Sequence, residues 1–240
     1  MIPHIFHWVW LTNTPLPEND KAWMQSWRQH HPDWEFILWA EFPEAVEIEG
    51  FTVKPIPPLI NQWAYDNIGT WALGRDIVAA RSDIVRYEIM LQGGIYLDTD
   101  VECFANIEPR LEGVSLFVAD EWGGHQGHQG NYMFGASANH PALYTVVREL
   151  RSHLRSQQAG NILSITGPFY LNTQLWKYAD QLVVFPFMLF SPLSYYHDPD
   201  KVEVWPAVTL ANHRADGKWY DREKSDPPAQ FKAESKKVTQ

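Results

Sequence analysis

The chain of 240 residues holds one cysteine, Cys103, which rules out an internal disulfide and agrees with a reducing compartment. A buried structural thiol is the expectation there. Basic residues are scarce as well: 19 Lys and Arg against 29 Asp and Glu leave a net charge of −10. A nucleic-acid partner, which needs clustered cations to neutralise phosphates, is therefore not expected. No apolar run approaches the ~18 residues of a membrane-spanning helix, and the start lacks a basic region followed by an apolar one. Neither a span nor a signal peptide is expected, and a cytoplasmic location follows as the expectation. Glycine-rich phosphate loops of the G-x-G-x-x-G or G-x-x-x-x-G-K type are missing, which weakens a dinucleotide or ATP site built on backbone amides. A bound phosphate must then be held in another way.

What is present is a globular composition, 45% hydrophobic and 20% charged, enough for one large α/β domain over residues 1–220 with a polar tail at 221–240 read as poorly ordered. Twelve Trp are many for this length; most are expected to pack, although sugars are often held by aromatic faces. The chain is organised around Arg75 to Glu102, RDIVAARSDIVRYEIMLQGGIYLDTDVE. Ile77, Val78, Ile84, Val85 and Leu91 recur as one face of a helix, Gly93-Gly94 stops it, and Ile95-Tyr96-Leu97 reads as a short buried strand. The strand ends in Asp98-Thr99-Asp100. In open α/β sheets ligands gather beyond the carboxyl ends of strands, so this carboxylate pair stands where chemistry is usually done. Asp83 and Arg86, three apart, share a helix face turned away from the apolar arc, while Arg81 and Glu88 project into that arc without an evident partner. Hard divalent ions such as Mg²⁺ and Mn²⁺ commonly take one or two carboxylates plus substrate phosphate oxygens, which fits a nucleoside diphosphate.

The combined string, S-D-x-x-R-Y followed by GGIYLDTDV, resembles the DXD-containing sugar transferases of glycosyltransferase family thirty-two and, more distantly, the glucosyltransferase domain of the large clostridial toxins. The resemblance implies a GT-A-like α/β fold with a mixed, mostly parallel sheet. It also implies a retaining transfer from a nucleotide sugar, UDP-linked first and GDP-mannose second, to a saccharide or glycolipid acceptor, in bacterial surface polysaccharide synthesis. On this basis Asp98 and Asp100 bind Mn²⁺ or Mg²⁺, Asp83 accepts hydrogen bonds from donor sugar hydroxyls, and Arg86 holds the diphosphate. The opening I-P-x-x-x-H-x-x-W carries base stacking to Trp10, with a sheet-packed aromatic as the alternative; His7 is read as a satisfied core histidine. The segment N-x-x-x-G-A-x-x-x-H-P carries a donor-sugar contact to Asn131 and leaves His140-Pro141 as a helix start. A T-G-P turn at Thr166 to Pro168 matches the family too, with a purely structural role as the other reading. In the closing motif, LANHRADGKWY, His213 is the expected third metal ligand and Trp219 packs on a C-terminal lid. Lys218 stands where the family has Ser, and would neutralise the leaving diphosphate unless the lid differs. No nucleophile is identifiable, so front-face attack by the acceptor hydroxyl is expected.

Further elements follow from pattern. Ile2 to Leu11 and Glu35 to Trp39 read as strands around a helix over Lys21 to His31, and Glu41 to Pro58 reads as irregular. Ser115 to Ala119 is a strand that delivers Asp120 and Glu121 either to the acceptor or to a solvated loop. Gly123 to Gly130 has a loop composition, with His125 and His128 near the substrate at most. Ala142 to Gln157 is a scaffold helix. Phe185 to Tyr196 is a core strand plus loop by default, or a peripheral contact with the inner face of a membrane. Two rivals stand beside the transferase: a haloacid-dehalogenase-type D-x-D phosphohydrolase, which places its motif after the first strand, and a non-catalytic sugar- or nucleotide-binding protein on the same fold.

Overall fold

The computed structural model describes residues 1–74, 76–121, 129–192 and 207–214. Arg75, the segment with His125 and His128, the end of the aromatic stretch from residue 193, Lys218, Trp219 and residues 221–240 lie outside the described residues. In chain order the elements are strand β1 (Ile5–Trp10), helix α1 (Glu18–His30), β2 (Glu35–Ala40), β3 (Thr52–Pro55), α2 (Gln62–Asn67), α3 (Asp76–Ile89), β4 (Gly94–Leu97), β5 (Val101–Cys103) and β6 (Leu116–Asp120). They continue with β7 (Gln129–Ala136), α4 (Pro141–Ser156), α5 (Ile162–Ile165), α6 (Pro168–Leu175), β8 (Leu182–Phe185), α7 (Phe187–Phe190) and β9 (Ala211–His213).

One sheet runs β3-β2-β1-β4-β7-β6-β8, with β7 antiparallel to both neighbours and every other pairing parallel. The strands alternate between two cores, as period-two side chains require. On one face Val9, Ile37, Tyr96, Leu116 and Val118 meet α3, α4 and α6; on the other Phe6, Trp8, Phe36, Leu38, Ile95, Leu97 and Phe117 meet α1. Strand order reverses between β1 and β4, which opens a crevice beyond their carboxyl ends. Trp10 ends β1 and Asp98 follows β4, so the fold brings these two together.

Helix α3 differs from the one-sided helix the periodicity predicts. From Ser82 to Met90 every residue is buried, Asp83, Arg86 and Glu88 included, because α2, α4 and the sheet enclose it. Glu88 accepts from the Ile60 and Asn61 backbone amides at 2.5 and 2.7 Å, placing a carboxylate at the start of α2. Arg81 donates to the Tyr65 carbonyl at 3.3 Å and lies 4.8 Å over the Tyr65 ring. These partners account for the two charges that interrupt the apolar arc. Between Glu41 and Pro58, expected to be irregular, β3 pairs in parallel with β2 as an edge strand, the position that tolerates its proline.

Gly93 and Gly94 do more than stop α3. Gly93 adopts φ 81° and ψ 172°, a region nearly reserved for glycine, rather than the left-handed helical cap expected; a Cβ there would sit 2.5 Å from the Ala138 amide nitrogen. The turn is pinned by His7, whose Nε2 lies 3.0 Å from the Gly93 carbonyl while Nδ1 accepts from Trp39 Nε1 at 3.2 Å. His7 is thus the satisfied core histidine that was expected, and burial lowers its pKa to about 4. Cys103 is buried, its thiol donating to the Ala105 carbonyl and pushed up to about 12 by burial. No helix among the described residues is long and apolar enough to cross a membrane.

Candidate active site

The Asp98-Thr99-Asp100 turn is held from three directions. The Asp98 amide donates to the Tyr132 carbonyl on β7 at 2.8 Å, and Thr99 Oγ1 donates to buried Asp20 of α1 at 2.6 Å. Turning Thr99 towards α1 leaves the two flanking carboxylates to the crevice. The third hold comes from far along the chain: β9 pairs antiparallel with β5, setting His213 opposite Val101, and the Arg214 amide donates to the Asp100 carbonyl at 2.8 Å. Arg214 then forms an ion pair with Glu102. Ligand atoms of Asp98, Asp100 and His213 consequently lie within 4.8 Å of one another. The expected metal triad is brought together.

The two carboxylate oxygens suit a hard ion such as Mn²⁺ or Mg²⁺, and with the imidazole nitrogen the donor set fits the divalent cation that a diphosphate needs. Asp98 Oδ1 accepts from Tyr96 Oη at 2.7 Å and pairs with Arg86 Nη1 at 3.1 Å. Burial raises the Asp98 pKa, with Arg86 opposing. His213 Nε2 lies 3.5 Å from Asp100 and Nδ1 lies 3.2 Å from Glu121. Burial acts to lower the His213 pKa, but the two carboxylates outweigh it and hold the value at about 10.

Behind the turn stands a second charged group. Arg86 sits between carboxylates: Nε is 3.5 Å from Asp83 Oδ1, Nη1 donates to the Asn131 carbonyl at 2.7 Å, Nη2 donates to Ser82 Oγ at 3.2 Å, and the guanidinium lies 4.5 Å over the Tyr96 ring. Burial opposes the charge of Arg86, yet Asp98, Tyr96 and Asp83 raise its pKa overall. Asp83 accepts from Asn131 Nδ2 at 2.8 Å and from Thr166 Oγ1 at 2.7 Å, while Tyr87 Oη donates to the Thr166 carbonyl at 2.6 Å. Burial pushes the Asp83 carboxyl up to about 6 against the pull of Arg86 and these donors. The T-G-P turn is therefore tied to the charged network as well as starting α6. Asp83 and Asn131, both expected to face the donor sugar, are bonded to each other, and both Asp83 oxygens already meet protein donors.

A cavity of about 310 Å³ opens at the strand ends, lined by Trp10, Thr12, Thr14, Ser82, Arg86 and the D-T-D turn among others. Trp10 Nε1 donates to the Thr14 carbonyl at 2.8 Å, which fixes the indole at the cavity wall. Sequence reasoning passed over Tyr96, Ser82, Asp20 and Tyr132. Tyr96 had a signal, since a residue two before Asp98 on a strand shares its side; Asp20 had none. Glu121 Oε1 lies 3.2 Å from His213 Nδ1, a contact that sequence reasoning did not foresee.

The architecture is that of the GT-A fold, with an acidic strand end set beside a cavity at the sheet's switch point. The profile of the family described as glycosyltransferase sugar-binding region containing DXD motif matches residues 17–126, the stretch that holds α3 and the D-T-D turn. It is 30% identical over 179 residues to inositol phosphoceramide mannosyltransferase 3 of Schizosaccharomyces pombe, covering 73% of this chain and 45% of that protein. The chain spans about half the length of the curated relatives first in rank. Among solved structures, PaToxG glycosyltransferase superposes with a TM-score of 0.56 at 16% identity, covering 75% of this chain and 70% of that one. The UDP-bound glycosyltransferase domain of the YGT toxin gives 0.55 at 13% identity, covering 76% and 79%. At such identities these two likenesses speak for the fold.

Proposed function

We propose that this protein transfers a sugar, mannose in the first instance, from a nucleoside-diphosphate donor to a saccharide or glycolipid acceptor, with retention at the anomeric carbon. The observation that carries the reading is the convergence of Asp98, Asp100 and His213 beside a cavity walled by Trp10 and Arg86. Mannosyltransferase relatives move the donor preference from a UDP-sugar to GDP-mannose, and their ceramide-linked names favour a lipid-borne acceptor. Membership in the bacterial polysaccharide pathway has no such support.

Each residue has a task that its surroundings suit. Asp98, Asp100 and His213 would hold Mn²⁺ or Mg²⁺. When bound, the cation supplies Lewis-acid stabilisation of the charge that develops on the departing diphosphate. Trp10 offers its indole face to the base. Arg86 presents a buried, permanently charged fork towards the diphosphate, a planar task that a lysine performs less well. Asp83, whose oxygens already meet Asn131 and Thr166, would hold the Asn131 amide in place so that its side-chain carbonyl can accept from a sugar hydroxyl. Among the described residues no carboxylate is identified as a nucleophile, so attack by the acceptor hydroxyl on the donor face the diphosphate leaves, its proton passing to the departing phosphate oxygen, would account for retention. A covalent sugar trapped on Asp83, Asp120 or Glu121 and detected by mass spectrometry would replace that step.

The test is a thermal-shift panel of nucleotide sugars with and without Mn²⁺, followed by sugar release in wild type and Asp100→Ala. A donor at about 100 times its Kd should stabilise by about 2.7 kcal/mol, a rise on the order of 5–10 °C for a domain of this size. Metal-dependent stabilisation by GDP-mannose, with release lost in Asp100→Ala, supports the reading. Stabilisation without turnover in either protein would favour the non-catalytic binder instead.

A further inference from the structure

We propose that Glu121 is a positioning residue: it fixes the imidazole of His213 so that the ring can act as the third protein ligand beside Asp98 and Asp100. The inference rests on the metal-site reading given above and assigns a role to a residue outside the triad. The His213 ring lies between two carboxylates, with Nδ1 at 3.2 Å from Glu121 Oε1 and Nε2 at 3.5 Å from Asp100 Oδ1. One nitrogen is thereby committed to β6 and the other is turned to the acidic strand end. The Nδ1 contact is short but off the hydrogen-bonding direction, so it acts as an ion pair that a small ring rotation would align.

A second restraint acts on the plane of the ring. Tyr132 stacks on His213 with centroids 4.3 Å apart and planes 7° from parallel, and its hydroxyl donates to the Asp120 carbonyl at 3.0 Å. The residue that anchors Tyr132 is the neighbour of Glu121, so the end of β6 controls both the tilt and the in-plane rotation of the imidazole. The β5–β9 pairing already sets its backbone. Histidines that bind metal through one nitrogen commonly give the other N–H to a carboxylate, which selects the tautomer and aims the lone pair; losing that partner typically costs 10–100-fold in metal affinity. Glu121 meets this requirement by position.

Mn²⁺ alone provides the test, titrated into the full chain after chelator treatment, with free ion followed by electron paramagnetic resonance and ligand nitrogen detected by pulsed methods. Wild type should show nitrogen coupling to bound Mn²⁺ that His213→Ala removes. Glu121→Leu should raise the Mn²⁺ Kd by about 10–100-fold and weaken the coupling. Glu121→Gln, which keeps an oxygen acceptor, should raise the Kd by roughly two- to tenfold, and it carries the test if the leucine variant loses its fold. Wild-type affinity and coupling in the Glu121 variants would overturn the positioning role. So would equal losses in Gln and Leu variants with the nitrogen coupling intact, which mark Glu121 as a ligand in its own right. Wild-type Mn²⁺ binding by Asp100→Ala would instead overturn the metal site on which the inference stands.

Discussion

Replacing Arg86 by lysine keeps the charge and should still damage the protein. The guanidinium joins partners in different directions: Asp83 from Nε, Asp98 and the Asn131 carbonyl from Nη1, and Ser82 from Nη2. One ammonium has three donors on a single atom and cannot sit at the centre of both carboxylates and the β7 carbonyl at once. Losing two hydrogen bonds that involve a charge, at about 1.5–3 kcal/mol each, gives a cost of about 3–6 kcal/mol for Arg86→Lys. Arg86→Met removes the charge as well and leaves Asp83 and Asp98 facing each other in a poorly hydrated site, where loss of a buried partner alone costs about 3–5 kcal/mol. That places the methionine variant at or beyond the lysine value.

Urea unfolding at pH 7.5, with midpoints and slopes fitted for wild type and both variants, measures these costs. An Asp83→Asn partner mutation closes a double-mutant cycle, in which the Arg86 cost should shrink because one of its two carboxylates is already neutral. Asp83 already binds its proton up to about pH 6, and without Arg86 it would hold it to higher pH, so Arg86→Met should be less destabilising at pH 5.5 than at pH 8. If Arg86→Lys unfolds within 0.5 kcal/mol of wild type, on the order of an ordinary surface substitution, the fork geometry is not what holds the site together.

Other consequences of the same structure can be measured directly. Gly93→Ala combines a glycine-only conformation with a Cβ 2.5 Å from backbone and should cost about 3–5 kcal/mol, whereas Gly113→Ala, with positive φ and open space, should cost about 1–2; calorimetry that ranks them equally refutes the steric part. His7 titrates near 4 when folded and near 6.5 when unfolded, so the stability due to its neutral ring is full above 6.5 and declines as pH falls towards 4. His7→Gln should flatten the stability–pH curve between those values by about 3 kcal/mol. Thr99→Val removes the hydroxyl that donates to Asp20 and should lower stability by about 1–3 kcal/mol while weakening Mn²⁺ binding; an unchanged Mn²⁺ Kd would show that the turn keeps its shape without that bond.

Much of this was legible in the chain before any coordinates, and what was not has identifiable causes. The apolar recurrence of α3 and the glycine stop marked the central helix and strand correctly, because both periods are local properties of the backbone. The same pattern misplaced Asp83 and Arg86 on an outer face, since periodicity reports which residues are apolar and not which charges are buried as a compensated group. Strand β3 hid among prolines because four residues at a sheet edge carry little alternation. His213 reaches Asp100 through the β5–β9 pairing, a contact between distant segments that no spacing rule encodes; family resemblance pointed to it, and the pairing supplies the physical reason. Asp20 and Tyr132 enter by the same tertiary route.

An acidic protein that handles a polyanionic donor must keep its own carboxylates from repelling it. Here the carboxylates around the strand end include Asp83, Asp98, Asp100 and Glu121, and the structure sets Arg86 between the first two and His213 between the last two. Four carboxylates against the permanent charge of Arg86 leave an excess of negative charge at the strand end that a divalent ion reduces, His213 giving up its proton to bind that ion. Distant carboxylates matter little, since fields from exposed charges fade over about 8 Å at physiological ionic strength. The net charge of −10 is thus compatible with diphosphate binding because the balance is struck locally. It follows that metal and donor should bind cooperatively: the ion reduces the local excess of negative charge before the diphosphate arrives, and the diphosphate oxygens complete the shell of the ion. Nucleoside-diphosphate affinity measured by calorimetry should therefore rise with Mn²⁺, and by linkage Mn²⁺ affinity should rise by the same factor with nucleotide present. Unequal factors, or nucleotide binding that ignores Mn²⁺, would mean that Arg86 alone compensates the diphosphate and that the strand-end carboxylates serve another purpose.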